Sequence, residues 1–211
     1  MVSVTRRTRQ KTPPSTTASV EDAVVAAMEK LLTQGSSFTS LSVENLAAAA
    51  GIGRSTFYTH FRDKGQLVQR LMQRVTIEIV AAAGRWFEAP EFATKQDLRA
   101  AVQGIADVYE NHYAVMAAVV ETSSYDADVK QLFGDMMAGL TAQSRFALQR
   151  LKAAGRSRPD LPVETADVLT WMVERAAHQL LHKRSAAKRT RIIDSLTEVI
   201  WSTFVNREPD D

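Results

Sequence analysis

Residues 41–64 read Leu41-Ser-Val-Glu-Asn-Leu-Ala-Ala-Ala-Ala-Gly-Ile-Gly-Arg-Ser-Thr-Phe-Tyr-Thr-His-Phe-Arg-Asp-Lys64, and this stretch decides the fold. Val43, Leu46, Ala47 and Ala50 recur at helical spacing and mark the inner face of a short helix over about Val43–Ala49, with Ser42 as its N-cap. The alanines let a second helix cross closely. Gly51 stands where the chain must leave the first helix, a position that favours a left-handed backbone. Ile52 plugs the turn. A second helix runs from Arg54 or Ser55 to His60, anchored by Phe57 and Phe61 at i, i+4 spacing. That leaves Arg54, Ser55, Thr56, Tyr58, Thr59 and His60 in outward or marginal positions. Such donors, small polar groups and an aromatic hydroxyl can reach base edges and phosphates from a helix laid in the major groove. Core packing accounts for Leu46, Ile52, Phe57 and Phe61, but not for Tyr58 and Lys64 flanking an apolar anchor.

Upstream, Val20, Val24, Ala27, Met28 and Leu31 recur at helical spacing behind Ser19, the expected N-cap, with Glu21 and Asp22 in the first turn and Gly35 as the stop. Residues 1–17 lack apolar periodicity and read as a flexible basic arm carrying Arg6, Arg7, Arg9 and Lys11. Insertion of that arm into a minor groove is the alternative. Downstream, a long helix starts near Lys64, and Leu67, Leu71, Val75, Ile79 and Trp86 give it a continuous apolar stripe as far as Pro90. A helix over about Lys95–Glu110 follows, capped by Thr94 with Asp97 at N3, then a short one near His112–Val120. A longer one covers about Tyr125–Ala153, between Ser124 and Gly155. Pro162 is expected to open a helix reaching about Lys183, and the last helix covers about Ala187–Val205. No convincing strand pair or repeat is present. The fold class is therefore all-α, with an N-terminal three-helix helix-turn-helix unit, a helical C-terminal domain and about nine helices. The expected boundaries are an arm over 1–18, a helix-turn-helix domain over 19–64, a second domain over 65–206 and a tail over 207–211.

Of the 211 residues 45% are hydrophobic, enough for a sizeable core and too many for global disorder. The absence of cysteine excludes disulfides, thiolate metal sites and cysteine nucleophiles, and suits a reducing cytoplasm. Ala114–Val120, the longest strictly apolar run, is far too short to cross a bilayer. No apolar segment follows the N-terminal arginines as a secretory signal requires, so a cytoplasmic protein is expected. The net charge of +2 is unevenly spread: +5 through Arg74 and −3 beyond it. A polyanionic partner for the front of the chain explains this, and so does a solvated asymmetry with no partner.

From Ser42 to Lys64 the run Ser-Val-x-x-Leu-Ala-x-x-Ala-Gly-Ile-x-x-x-Thr-Phe-Tyr-x-His-Phe-x-x-Lys resembles the signature of the TetR family of transcription regulators. With the helices before and after it, the resemblance covers Val20 to Val75. The rest is similar in helix count and order. The back half is most similar to the mycobacterial repressors of ethionamide-activating monooxygenases, over Ile105 to Thr122 and at Glu174-Arg175. The resemblance implies that Tyr58 and Lys64 clamp phosphates. It makes Arg54, Ser55, Thr56 and Thr59 base-edge readers or their neighbours, and gives His60 a phosphate contact or a stacking role. Ser42 would offer its hydroxyl and nearby amides to a phosphate. Gly53 stands where serine is more usual, which removes a polar contact. Gly65 stands where glutamate is more usual, which weakens the start of the fourth helix.

The same resemblance implies a ligand pocket behind the DNA-binding unit and a four-helix bundle formed by the last two helices with those of a second subunit. Val168, Trp171, Met172, Leu180, Leu181, Ile192, Leu196, Val199, Ile200 and Phe204 make those helices apolar enough to need a partner surface. Packing within the monomer is the alternative. A dimer suits two half-sites one DNA turn, roughly 34 Å, apart. Candidate pocket residues are Trp86, Phe87, Leu98, Val102, Ile105, Tyr109, Met116, Phe133, Met137, Trp171 and Glu174. Such aromatic and methionine stripes are also ordinary core. Trp171 and Glu174, three apart, are read on one helix face, with Glu174 fixing the polar end of a ligand. His178 and His182 have the i, i+4 spacing of metal ligands, but Gln179 stands where a zinc protease has glutamate and no third ligand is evident. No metal or cofactor is expected. An enzyme would need a convergent acid, base or nucleophile, which the sequence does not supply. The expected function is a homodimeric repressor, bound to a partly palindromic double-stranded operator and released by a small apolar effector. An architectural DNA-binding protein without a ligand is the rival.

Overall fold

The computed structural model describes residues 17–206. The basic arm from Arg6 to Lys11 and the tail 207–211 lie outside the described residues. Among the described residues there are ten α-helices and no strand, so the fold is all-α with one helix more than the sequence pattern suggests. The chain forms two compact units that meet in sequence between Gln66 and Leu67.

In the first unit α1 (Thr17–Thr33), α2 (Val43–Ala50) and α3 (Arg54–His60) pack on one another. Helix α1 begins two residues before the expected cap at Ser19. It buries Val20, Val24, Met28 and Leu32. Leu46, Phe57 and Phe61 complete the core, each at most 1% exposed. Full burial of such side chains stabilises by about 1.5–3 kcal/mol each. Ile52, expected to plug the turn, is half-buried, as are Val43 and Ala50.

Helix α4 (Lys64–Ala83) starts in the first unit and continues in the second. Asp63 caps it, its Oδ1 accepting from the Gln66 amide at 2.8 Å. Leu67, Leu71, Val75 and Ile79 are buried as the stripe requires. The stripe does not reach Trp86 within one helix, however. At Gly84 the backbone turns with φ 47°, and Trp86 lies on the separate short helix α5 (Arg85–Glu88). A 3-10 turn, Pro90–Phe92, follows.

Helix α6 (Lys95–Asn111) opens with the expected capping box: the Thr94 hydroxyl accepts from the Asp97 amide at 3.2 Å, and the Asp97 carboxylate accepts from the Thr94 amide at 2.8 Å. After α7 (Tyr113–Thr122) comes α8 (Ala127–Ala153). Its cap is Asp126 rather than Ser124, with Oδ1 accepting from the amides of Asp128 and Val129, both at 3.0 Å. Helix α9 (Glu164–Ala176) starts just after Pro162 and passes into a π-helical turn, Ala177–Leu181. Helix α10 (Ala186–Phe204) closes the described chain. In this second unit α8 packs on α5, α7 and α9, and α6 packs on α5 and α10. Arg150 donates to the Glu88 carbonyl at 2.6 Å and pairs with the Glu91 carboxylate. Arg156 donates to the carbonyls of Glu91 at 2.8 Å and Pro90 at 3.2 Å. Together they pin the segment that carries α5.

Candidate nucleic-acid interface and internal cavity

Helix α2 is held at both ends by its own sequence. The Ser42 hydroxyl accepts from the Asn45 amide at 3.1 Å and donates to Asn45 Oδ1 at 2.5 Å. Gly51 adopts φ 72°, its amide bonding to Ala48 O at 3.1 Å and that of Ile52 to Ala47 O at 3.0 Å. This is the paired closure of a Schellman motif. It sends the chain directly into α3. There Phe57 and Phe61 face the core with ring centroids 5.2 Å apart.

The opposite side of α3 presents Arg54, Ser55, Tyr58 and Thr59 as exposed residues, with Thr56 and His60 half-buried. Tyr58 stands edge-on to Phe57 at 5.6 Å and keeps 46% of its surface exposed. The Arg54 guanidinium lies 5.6 Å from the Tyr58 ring and pairs with Glu44 of α2 at 2.7 Å. Two expected contacts look different in space. The Ser42 hydroxyl is used within its capping box. Lys64 turns inward, its Nζ donating to the carbonyls of Phe38 at 2.8 Å and Leu41 at 3.0 Å and lying 4.4 Å from the Phe38 ring centroid. The sequence offers Lys64 as a phosphate clamp. In the structure it ties the segment ahead of α2 to the first turn of α4.

The second unit contains a cavity of about 70 Å³. Ile79 contributes from α4, Trp86 and Phe87 from α5, and Leu98, Ala101, Val102, Ile105 and Tyr109 from α6. Met137, Leu140 and Ser144 come from α8; Ala166, Leu169, Thr170, Val173 and Glu174 from α9; Ile200 and Phe204 from α10. Trp86 stacks on Phe204 at 6.2 Å. Of the expected pocket residues, Trp86, Phe87, Leu98, Val102, Ile105, Tyr109, Met137 and Glu174 meet here. Three do not. Met116 is fully buried in α7 away from the cavity. Trp171 is 42% exposed, and Phe133 packs edge-on against it at 5.9 Å. Trp171 and Glu174 therefore do not share a face. The residues missed on α9 were legible from Glu174 itself: stepping back four at a time gives Thr170 and Ala166, which line the cavity.

Inside these apolar walls Thr170 Oγ1 and Ser144 Oγ are hydrogen-bonded at 2.8 Å. Glu174 and Tyr109 are not so provided for. Each is 2% exposed, and neither Glu174 oxygen nor the Tyr109 hydroxyl has a hydrogen-bond partner among the described residues. Arg175 Nε stands 3.6 Å from Glu174 Oε2, too far for a hydrogen bond. Burial pushes the Glu174 carboxyl above its ordinary range, with Arg175 pulling the other way. Burial, and then the nearby Glu174, also push the Tyr109 phenol up. The two histidines share a neighbour. His182 Nδ1 lies 3.1 Å from Glu110 Oε1, and Tyr113 stacks on both imidazoles, at 3.3 Å from His182 and 5.9 Å from His178.

The family model for the C-terminal domain of the transcriptional regulator EthR matches residues 98–205, just over half of the chain. That for bacterial regulatory proteins of the tetR family matches residues 24–71. The HTH-type transcriptional regulator EthR of Mycobacterium tuberculosis (strain ATCC 25618 / H37Rv) is 26% identical over 191 residues, which cover 89% of this chain and 88% of that protein. Solved structures show the same fold. A TetR-family regulator from Syntrophomonas wolfei matches with a TM-score of 0.73 at 12% identity, covering 87% of this chain and 94% of its own. The SmeT–triclosan complex matches with 0.69 at 16% identity, covering 91% and 99%. The chain belongs to the TetR family of bacterial transcriptional regulators, with a C-terminal domain of the EthR type.

Proposed function

We propose that this regulator is a homodimeric repressor of the cytoplasm, bound to a partly palindromic double-stranded operator when ligand-free and released when a small, largely apolar molecule enters the cavity. It acts by binding rather than catalysis. The observation that carries the DNA-binding part is the exposed polar face of α3, set against the buried Phe57 and Phe61. On that face Arg54, Ser55, Thr56 and Thr59 are assigned to base edges or their neighbourhood, and Tyr58 and His60 to phosphates. Ser42 and Lys64 are assigned to phosphates as well, besides holding α2 and the start of α4 in position. In this reading the first domain covers 19–64, and residues 65–206 form the ligand-binding and dimerisation domain.

The cavity supports the effector role through its lining. Ligand sites are typically about 300–1,000 Å³. A cavity of about 70 Å³ cannot take such a molecule without displacing its walls. Ile79, one of those walls, sits on the same continuous helix as Lys64. A ligand that prefers a conformer with a shifted α4 thereby weakens operator binding, and the coupling is reciprocal, typically about 1–3 kcal/mol. Triclosan is bound by SmeT, a protein of the same fold. The test is selection of bound duplexes from random-sequence DNA with the full chain and with Tyr58→Ala. An inverted repeat recovered by the wild type and lost in the variant supports the reading. No enriched sequence with the ligand-free protein overturns it.

A further inference from the structure

Resting on the effector reading above, we propose that the cavity is built for an amphipathic amine, an apolar body carrying one protonated nitrogen whose N–H groups bond Glu174 and Tyr109. Two groups without a hydrogen-bond partner line the largely apolar cavity, Tyr109 on α6 and Glu174 on α9, each 2% exposed, and the Arg175 guanidinium comes no nearer to Glu174 than 3.6 Å. Leaving such groups unbonded is costly, so a ligand that satisfies them gains more than one that only fills space.

The chemistry of the two groups selects among ligands. An ionised Glu174 offers two acceptor oxygens and no donor, and Tyr109 adds a hydroxyl that both donates and accepts. The set is therefore rich in acceptors. A hydrocarbon would leave all of it unbonded. A carboxylate would bring a like charge beside Glu174. An alcohol supplies one donor. An ammonium supplies three, together with a positive charge that can bond the carboxylate directly, as Arg175 at 3.6 Å does not, and charge-assisted bonds of this kind are about twice as strong as neutral ones. Trp86, Phe87 and Phe204 provide aromatic faces for the ligand body or for the cation itself. Thr170 and Ser144 are already bonded to each other, so the ammonium is directed to the Glu174–Tyr109 end.

The experiment is calorimetric titration of the full chain with three probes of matched length: n-octylamine, 1-octanol and octanoate. Octylamine is expected to bind at least about tenfold more tightly than octanol, the size of a charged hydrogen bond, and octanoate most weakly. Glu174→Gln should weaken octylamine by at least about tenfold and octanol far less, so that the amine loses its advantage over the alcohol. Tyr109→Phe should weaken octylamine by a smaller factor, and it keeps the test open if the Glu174 variant does not fold. Octanol or octanoate binding as well as the amine to the wild type would overturn the amine specificity while leaving the cavity as an effector site. Failure of all three probes to bind would overturn the effector reading with it.

Discussion

Glu174 is a buried side chain with a cost and, under the amine proposal, a use. Its carboxyl lies in an apolar enclosure without a hydrogen-bond partner, and burial raises its pKa above the ordinary 4.5. The folded state therefore holds the proton more tightly than the unfolded chain. Its stabilising effect is complete below the ordinary value and is lost as pH rises through the raised folded-state pKa. The Glu174 contribution should accordingly fall on going from about pH 4 to pH 8, so that Glu174→Gln gains stability relative to the wild type as pH rises over that range. Glu174→Met, which replaces the polar group with an apolar one of similar length, should raise stability at pH 7 by about 1–3 kcal/mol. Thermal unfolding of the three proteins across that range checks both points, and identical pH profiles would show that folding leaves the Glu174 pKa unchanged. At this scale the sequence is legible where a residue type has one plausible role. Phe57, exposed by 0%, and Tyr58, exposed by 46%, fall as read. It fails for Lys64 because a lysine near a helix start reads as a solvent-facing cation, while the carbonyls of Phe38 and Leu41 that capture it lie more than twenty positions away. No local pattern reports such a contact.

Elements were legible in proportion to how local their boundaries are. Helices α2 and α3 are set by a capping box at Ser42 and a left-handed turn at Gly51, all within one short stretch. The break between α4 and α5 is less visible. Ile79 and Trp86 stand seven apart, two helical turns, so the apolar stripe continues in phase across a point where the backbone does not. Gly84 is the local mark, and a glycine inside a helical pattern is a weak one. The start of α8 is another near miss, since Ser124 and Asp126 are both good cap residues and only the amide geometry favours Asp126. Helix packing leaves a different trace. A Cβ added at Gly104 of α6 would stand 3.0 Å from the Ala82 carbonyl and 3.1 Å from the Ala82 Cβ of α4. These helices cross there at backbone contact. Gly104→Val should force them apart and cost about 1–3 kcal/mol, outweighing the better helix propensity of any residue over glycine. Urea unfolding measures this, and an unchanged midpoint would mean that α6 can draw back from α4 freely.

For the whole molecule, the homodimer proposal turns on the last two helices. Their apolar residues look like one surface in sequence but divide in space. Leu181, Leu196, Ile200 and Phe204 are buried within the protomer, whereas Val168, Leu180 and Val199 remain 67%, 50% and 44% exposed on α9, the π-helical turn and α10. The inward set supplies the core and, through Ile200 and Phe204, part of the cavity. The outward set is a face in search of a partner, and under the homodimer proposal that partner is a second copy. A palindromic operator offers two half-sites, and a dimer binds both at the cost of ordering only one complex, a gain of about 10²–10⁴ in affinity over a single half-site contact. The double variant Leu180→Glu, Val199→Glu places two carboxylates on each face and four across the interface. It should sediment as a monomer with an unchanged helical circular-dichroism spectrum, since neither side chain is part of the buried core. Its affinity for the selected operator should fall by about a hundredfold or more, while its α3 face, with Tyr58 and Arg54, is untouched. A variant that stays dimeric would move the interface to another surface. One that becomes monomeric yet binds the operator as the wild type does would separate recognition from dimerisation altogether.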